Sequence, residues 1–158
     1  MRKVLLVCTG NICRSPLAAV LMQRVLAERS VEGIDVSSAG TGAWDGAPAS
    51  EGAYLVGLEQ GLDLSGHRAR LLTRDLVGQA DLVLTMARHH RARVDELGGE
   101  GHVFVLGEYG GREGDAAEVS DPFGGDLEVY RSTCAELATL VAAAVDRIVK
   151  DAGRGDQR

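Results

Sequence analysis

Residues 3–26 read KVLLVCTGNICRSPLAAVLMQRVL, and the order of residue types in this stretch decides the fold. KVLLV (3–7) is short, aliphatic and β-branched, the pattern of a strand buried on both faces of a parallel sheet. CTGNICRS (8–15) then breaks the apolar run with two cysteines, a glycine, an asparagine, an arginine and a serine. From Pro16 onward the chain carries helix formers, no glycine, and apolar residues at 17, 21 and 25, spaced for one helical face. Ser15 before Pro16 reads as a helix start: an N-cap candidate, then proline at the first helical position. Strand, loop and helix follow one another without a spacer.

The same alternation repeats down the chain. IDVSSAG (34–40) reads as a second strand ending in glycine. SEGAYLVGLEQG (50–61) reads as a helix that Gly52 and Gly57 weaken. Thr73 can cap a short helix through Val77. ADLVLTM (80–86) is a third buried strand, ARHHRARVDELGG (87–99) a helix with a glycine stop, and HVFVLG (102–107) a fourth strand. Residues 107–125 hold six glycines and many acids, so they form a long connection of the kind that is usually functional or disordered. The last helix spans 126–150, with Asp126 as its cap and Tyr130, Cys134, Leu137, Val141, Val145 and Ile148 on one apolar stripe. The expected architecture is a single α/β domain over 1–151: a four-stranded parallel sheet, Rossmann-like, with helices on both faces. Residues 152–158 are expected to form a polar C-terminal tail. Ligands of such sheets bind at the carboxyl ends of the strands, near the topological switch point. The first strand ends at Cys8.

Composition narrows the partners. The 158 residues suit one domain, and 45% hydrophobic content supplies a core. With 17 basic and 23 acidic residues the net charge is −6, which argues against nucleic acid or an anionic membrane as a general partner. Cys8, Cys13 and Cys134 are too few and odd in number for a disulfide framework, so the thiols point to a reducing compartment, the cytoplasm. The apolar run after Met1 is too short for a signal peptide, and no stretch is suited to a stable membrane span. No histidine or acidic cluster has metal-ligand spacing relative to a cysteine pair.

The opening loop has a chemical logic of its own. Backbone N–H groups in a tight loop and at a helix start converge on one spot and favour an anion. Gly10 removes a Cβ, and Asn11 tolerates left-handed geometry, so both help to turn those groups inward. Cys8 at the bottom of this positive bowl is held as a thiolate. Arg14 completes a CX5R spacing and returns to the same spot, where its planar fork can bind two phosphate oxygens. Cys8 can then attack phosphorus in line, giving a phospho-cysteine intermediate. Ser15 can donate to the thiolate. The leaving group needs a proton, and SDPFGG (120–125) offers Asp121, held extended by the following proline. A lone cysteine after a strand is most often a small hydrophobe, and an Asp-Pro pair is most often a turn. Their occurrence together in one chain reverses both odds.

VCTGNICRSP followed by an amphipathic helix, with SDPFGG before the terminal helix, resembles the low-molecular-weight protein tyrosine phosphatases. SAGTGAW and ADLVLTM look like further family segments, so the resemblance covers nearly the whole chain. It implies Cys8 as nucleophile, Arg14 as phosphate clamp and Asp121 as general acid. It implies Thr9, Gly10, Asn11, Ile12, Cys13 and Ser15 as the phosphate loop, and no metal or organic cofactor. It also implies that Cys13 can form a reversible disulfide with Cys8, protecting the nucleophile from irreversible oxidation. Cys134 is expected only in the core. The expected substrate is a phosphorylated protein, met by a monomer or weak homo-oligomer.

Ile12 bears on which phosphorylated residue is taken. Bacterial protein arginine phosphatases resemble this chain too, with threonine at the corresponding place. Isoleucine offers bulk without a hydrogen bond and suits a phenyl ring, so phosphotyrosine is favoured and phosphoarginine is the alternative. Trp44 and Phe123 are the aromatic candidates for pocket walls, with partly buried packing beside the second strand as the plainer expectation for Trp44. His89 and His90, among Arg88, Arg91 and Arg93, are expected on a solvated basic helix face. Arsenate reductase shares the loop, but it needs further relay cysteines, and none lies between Cys13 and Cys134. A noncatalytic phosphoprotein-binding module would need neither Cys8 nor Asp121.

Overall fold

The computed structural model describes residues 2–156. Four strands, β1 (Arg2–Cys8), β2 (Ile34–Gly40), β3 (Leu82–Thr85) and β4 (Val103–Val105), form one parallel sheet in the order β2-β1-β3-β4. Around them run α1 (Arg14–Glu28), α2 (Glu51–Glu59), α3 (Arg74–Gln79), α4 (Arg88–Val94), the single turn α5 (Leu106–Tyr109) and the long α6 (Leu127–Asp156). This is the expected α/β architecture.

Strand alternation divides the interior into two cores. Val4, Leu6 and Cys8 of β1, with Leu82 and Leu84 of β3, pack under α1, α2, α5 and α6. Leu5 and Val7, with Val83 and Val103, pack under Val77 of α3 and Val94 of α4. A sheet covered on both faces needs apolar side chains at every position, and β1 is buried from Val4 to Cys8. Within α6 the stripe from Tyr130 to Ile148 is buried as its spacing requires. A Leu6→Ala cavity in so closely packed a core costs about 2–5 kcal/mol.

The element ends correct three expectations. Ser15 does not cap α1: the helix begins at Arg14, its N-cap residue is Cys13 without a side-chain cap bond, and Ser15 is buried inside the first turn. The last helix runs past 150 to Asp156, so the expected tail is helical through that residue, and 157–158 lie outside the described residues. The long connection after β4 is neither bare nor wholly loop. It contains α5 and a 3₁₀ turn at Gly114–Ala117. Thr73 and Asp126 cap as expected, accepting from the N–H groups of Leu76 and Val129.

β2 and β3 flank β1 on opposite sides, so the chain switches direction at the carboxyl end of β1. The loop of residues 8–15 sits in that crevice. Gly40, at the end of β2, lets the loop pack close: a Cβ there would lie 2.4 Å from the Thr9 carbonyl oxygen and 2.9 Å from the Asn11 nitrogen.

Candidate active site

The loop between β1 and α1 is turned inside out by its neighbours. The carbonyl of Cys8 accepts from Thr41 N–H, that of Thr9 from Gly42 N–H and that of Ile12 from Ser50 N–H, each at 2.9 Å. The Asn11 carbonyl accepts from His67 Nε2 at 2.6 Å. In a trans peptide the C=O and the following N–H point opposite ways, and no peptide bond among the described residues is cis. Drawing those four carbonyls outward therefore turns the N–H groups of Thr9, Gly10, Ile12 and Cys13 inward. Together they make an anion cradle.

Asn11 holds this shape. It is fully buried and left-handed at φ 57°, a conformation that costs about 1–2 kcal/mol outside glycine. Its side chain offsets that cost. Nδ2 donates to Ser15 Oγ at 2.8 Å and to Ser38 Oγ at 2.9 Å, and Oδ1 accepts from Arg70 N–H at 3.0 Å. Gly10, by contrast, has no left-handed φ, and a Cβ there would meet only Ile12 at ordinary contact distance. The left-handed turn lies at Asn11, as expected.

Cys8 is buried, with its Sγ 3.0 Å from Ser15 Oγ. Ser15 Oγ accepts from Asn11, so its own hydrogen can go either to the sulfur or to the Ala39 carbonyl, which lies farther off at 3.5 Å. Arg14 is buried as well. Its NH1 donates to the Val119 carbonyl at 2.9 Å, its NH2 lies 3.7 Å from Asp121 Oδ2, and its Nε has no partner among the described residues. Asp121 stands half in solvent, its Oδ1 accepting from Phe123 N–H at 3.0 Å. That Asx turn, with buried Pro122 between, sets the direction of the carboxylate.

A cavity of about 210 Å³ joins these groups, lined by Cys8, Thr9, Gly10, Ile12, Cys13, Arg14, Asp121 and Phe123. Asn11 and Ser15 are fully buried and do not line it. Trp44 does not line it. The indole is 84% exposed on the loop after β2, so it is neither a wall of this cavity nor the partly buried packing residue of the plainer expectation. Behind the loop, Cys13 Sγ lies 3.1 Å from Ser50 Oγ and 3.5 Å from the Tyr130 hydroxyl. Burial pushes the Cys13 thiol up, whereas all three cysteines are unpaired. Cys134 is core.

Sequence reasoning misses the supports of the loop. His67, Arg70 and Ser38 bind Asn11 from 27 to 59 residues away and carry no local motif. His90 contradicts expectation outright. It is fully buried, not on the basic surface, and its Nε2 lies 2.8 Å from Thr9 Oγ1. Desolvation, with His89 and Arg14 nearby, lowers its pKa to about 3. The arginines of that helix are already paired, Arg88 with Glu108 and Glu118, and Arg91 with Glu108.

The sequence profile of the family described as low molecular weight phosphotyrosine protein phosphatase matches residues 3–154. The chain belongs to this family. It is 36% identical to a protein-arginine-phosphatase of Geobacillus stearothermophilus over 92% of this chain and 95% of that one. It is 37% identical to a probable low molecular weight protein-tyrosine-phosphatase, EpsP, of Ralstonia solanacearum over 94% and 97%. Its fold superposes with a TM-score of 0.87 on a Cys-to-Ser mutant of the YwlE arginine phosphatase with a phosphorylated active-site serine, at 35% identity over 94% and 97% of the two chains. Phosphorylation at a serine that replaces cysteine fits a cysteine nucleophile in this family.

Proposed function

We propose that this protein is a protein-tyrosine phosphatase working through a phospho-cysteine intermediate. The observation that carries it is the convergence of Cys8, Arg14 and Asp121 on one cavity above an inward-facing cradle of N–H groups. The phosphoryl group settles on the cradle, with Arg14 gripping its oxygens. Cys8 Sγ attacks phosphorus, the bond to the tyrosyl oxygen breaks, and Asp121 protonates that oxygen as it leaves. Water then attacks the thiophosphate while Asp121 takes its proton, releasing inorganic phosphate and restoring the thiolate. Ser15 stabilises the sulfur whenever it carries charge.

Ile12 supports phosphotyrosine over phosphoarginine, because its half-buried apolar side chain lines the cavity where a phenyl ring would lie. Phe123, 66% exposed on the opposite segment, supports the same choice as an aromatic wall of the cavity. The unpaired thiols support a reducing cytoplasmic setting, and no helix among the described residues is long and apolar enough to cross a membrane. The test is kcat/KM on matched phosphotyrosine and phosphoarginine peptides, with Cys8→Ser as the blank. A phosphotyrosine preference supports the proposal; a phosphoarginine preference replaces the substrate while keeping the mechanism.

A further inference from the structure

One wall of the cavity rests on a buried group that the catalytic trio does not use. Thr9 lines the active-site cavity and also a neighbouring cavity of about 450 Å³ that it shares with Arg14 and Asp121. Thr9 Oγ1 lies 2.8 Å from Nε2 of His90 on α4. The His90 ring is fully buried, and its Nδ1 has no hydrogen-bond partner among the described residues. Burial keeps the ring neutral at working pH, with the His89 ring centroid 4.0 Å away and Arg14 adding to the effect.

A neutral imidazole carries one N–H, on either nitrogen. Placed on Nδ1, that hydrogen would be a buried donor without an acceptor, which folded proteins rarely tolerate. Placed on Nε2, it donates to Thr9 Oγ1. Thr9 then receives a hydrogen bond and keeps its own O–H to give, and the residue lines the cavity where an anion would sit. A hydroxyl fixed in this way is a preorganised donor, more useful to an anion than one free to rotate.

We propose that His90 is a positioning residue whose Nε2–H fixes Thr9 Oγ1, so that the Thr9 hydroxyl donates to a phosphoryl oxygen held on the loop. The inference rests on the phosphatase reading above and adds one donor to its cradle. It is tested by the inhibition constant for inorganic phosphate and by kcat/KM on a phosphotyrosine peptide. The variants are Thr9→Val, Thr9→Ser, His90→Ala, His90→Gln and the double Thr9→Val/His90→Ala. Thr9→Val and His90→Ala should each weaken phosphate binding about tenfold, the effect of losing one hydrogen bond to a charged group. Thr9→Ser should stay within about twofold, because the hydroxyl is kept. His90→Gln, which retains an N–H donor on a side chain of similar reach, should recover most of the loss. The double variant should be no worse than Thr9→Val alone, since His90 acts through Thr9.

Thr9→Val with an unchanged phosphate constant would overturn the proposal. So would multiplying losses in the double variant, or a His90→Ala protein with lowered Tm and unchanged phosphate binding. Should His90→Ala fail to fold, the Thr9→Val and Thr9→Ser pair decides whether the hydroxyl binds phosphate, because Thr9 lies on the exposed side of the contact. A folded His90→Gln that binds phosphate as weakly as Thr9→Val would overturn the role of His90. Wild-type protein that neither binds phosphate nor hydrolyses phosphopeptides would instead overturn the phosphatase reading itself.

Discussion

The loop of residues 8–15 and the segment around Asp121 face the same cavity, yet one is largely buried and tied down while the other stands in solvent. Asn11 and Ser15 are fully buried and Arg14 is 4% exposed, whereas the Asp121 side chain is 52% exposed and Phe123 66%. The carbonyls of Cys8, Thr9, Asn11 and Ile12 are taken by partners outside the loop, and the Asn11 side chain bonds Ser15 within it and Ser38 and Arg70 beyond it. Asp121 has one backbone N–H and a guanidinium 3.7 Å away. The difference follows from the two tasks. Donors that hold a developing trianion must be fixed before the substrate comes, because dipoles that reorient during reaction cost energy. An acid must hand its proton to a leaving group that differs between substrates, which needs a side chain that substrate can reach.

The loop half should therefore respond to substitution in an all-or-none way. Cys8→Ser should lower kcat by about 10⁴-fold or more, as loss of a nucleophile does, while phosphate binding stays within about threefold because every cradle contact remains. Arg14→Lys should lose about 10²–10³-fold in kcat, since an ammonium cannot replace a fork aimed at charge in the transition state. Steady-state kinetics with phosphate inhibition separate the two. Cys8→Ser that also loses phosphate would show that the sulfur, rather than the surrounding N–H groups, shapes the cradle.

The solvent-facing half should respond in a graded way. Asp121→Asn should slow turnover by about 10²–10⁴-fold for a phosphotyrosine peptide, and much less for a nitrophenyl-type ester whose leaving group needs little protonation. A slope of log kcat against leaving-group pKa that is steep in the variant and shallow in the wild type is the expected signature. Equal losses across the series would remove Asp121 from the acid's role.

Acid stability offers a third way to sharpen the contrast, because the loop half carries a buried neutral histidine. His90 titrates at about 3 in the folded protein and near 6.5 when unfolded. Between those values the unfolded chain binds the extra proton, so lowering pH favours unfolding. Stability should fall as pH drops from about 6.5 towards 3, by an amount on the order of several kcal/mol at about 1.4 kcal/mol per unit. Denaturant midpoints measured across this window should show a shallower slope for His90→Gln. Identical slopes would place the acid sensitivity elsewhere.

What was legible in the sequence follows the same division by locality. The strand-loop-helix unit, the CX5R spacing and the Asp-Pro turn are local patterns; the sheet stands where those patterns put it, and Cys8, Arg14 and Asp121 line one cavity. The supports of Asn11 were hidden because His67, Arg70 and Ser38 reach it across tertiary contacts. Gly40 was hidden because its reason is a close approach by another segment. Ser15 was misread as a cap because its hydroxyl is claimed by Cys8 and Asn11 instead of the helix N–H groups. His90 among arginines carries the composition of a surface, and only the tertiary contact with Thr9 reveals it as core. The last helix outruns its apolar stripe, with an Arg147–Asp151 ion pair one turn apart near its end.

The smallest expected effect concerns selectivity, where the two halves meet. Ile12 comes from the rigid loop and Phe123 from the exposed segment, and both line the cavity. Ile12→Thr keeps the β-branch but replaces an ethyl branch with a hydroxyl, so the backbone preference of the cradle is retained while the side chain becomes shorter and polar. It removes two carbons of apolar contact with a phenyl ring, worth about 1–2 kcal/mol for a half-buried side chain, and gives a guanidinium N–H an acceptor. The ratio of kcat/KM for phosphotyrosine over phosphoarginine peptides should fall roughly 10-fold, within the 10–200-fold range that single pocket groups supply. Phe123→Ala should lower phosphotyrosine turnover less, because two-thirds of that ring is in water before any substrate binds. If Phe123→Ala proves the larger effect, the exposed segment closes on the substrate and sets selectivity, and the rigid loop contributes chemistry alone.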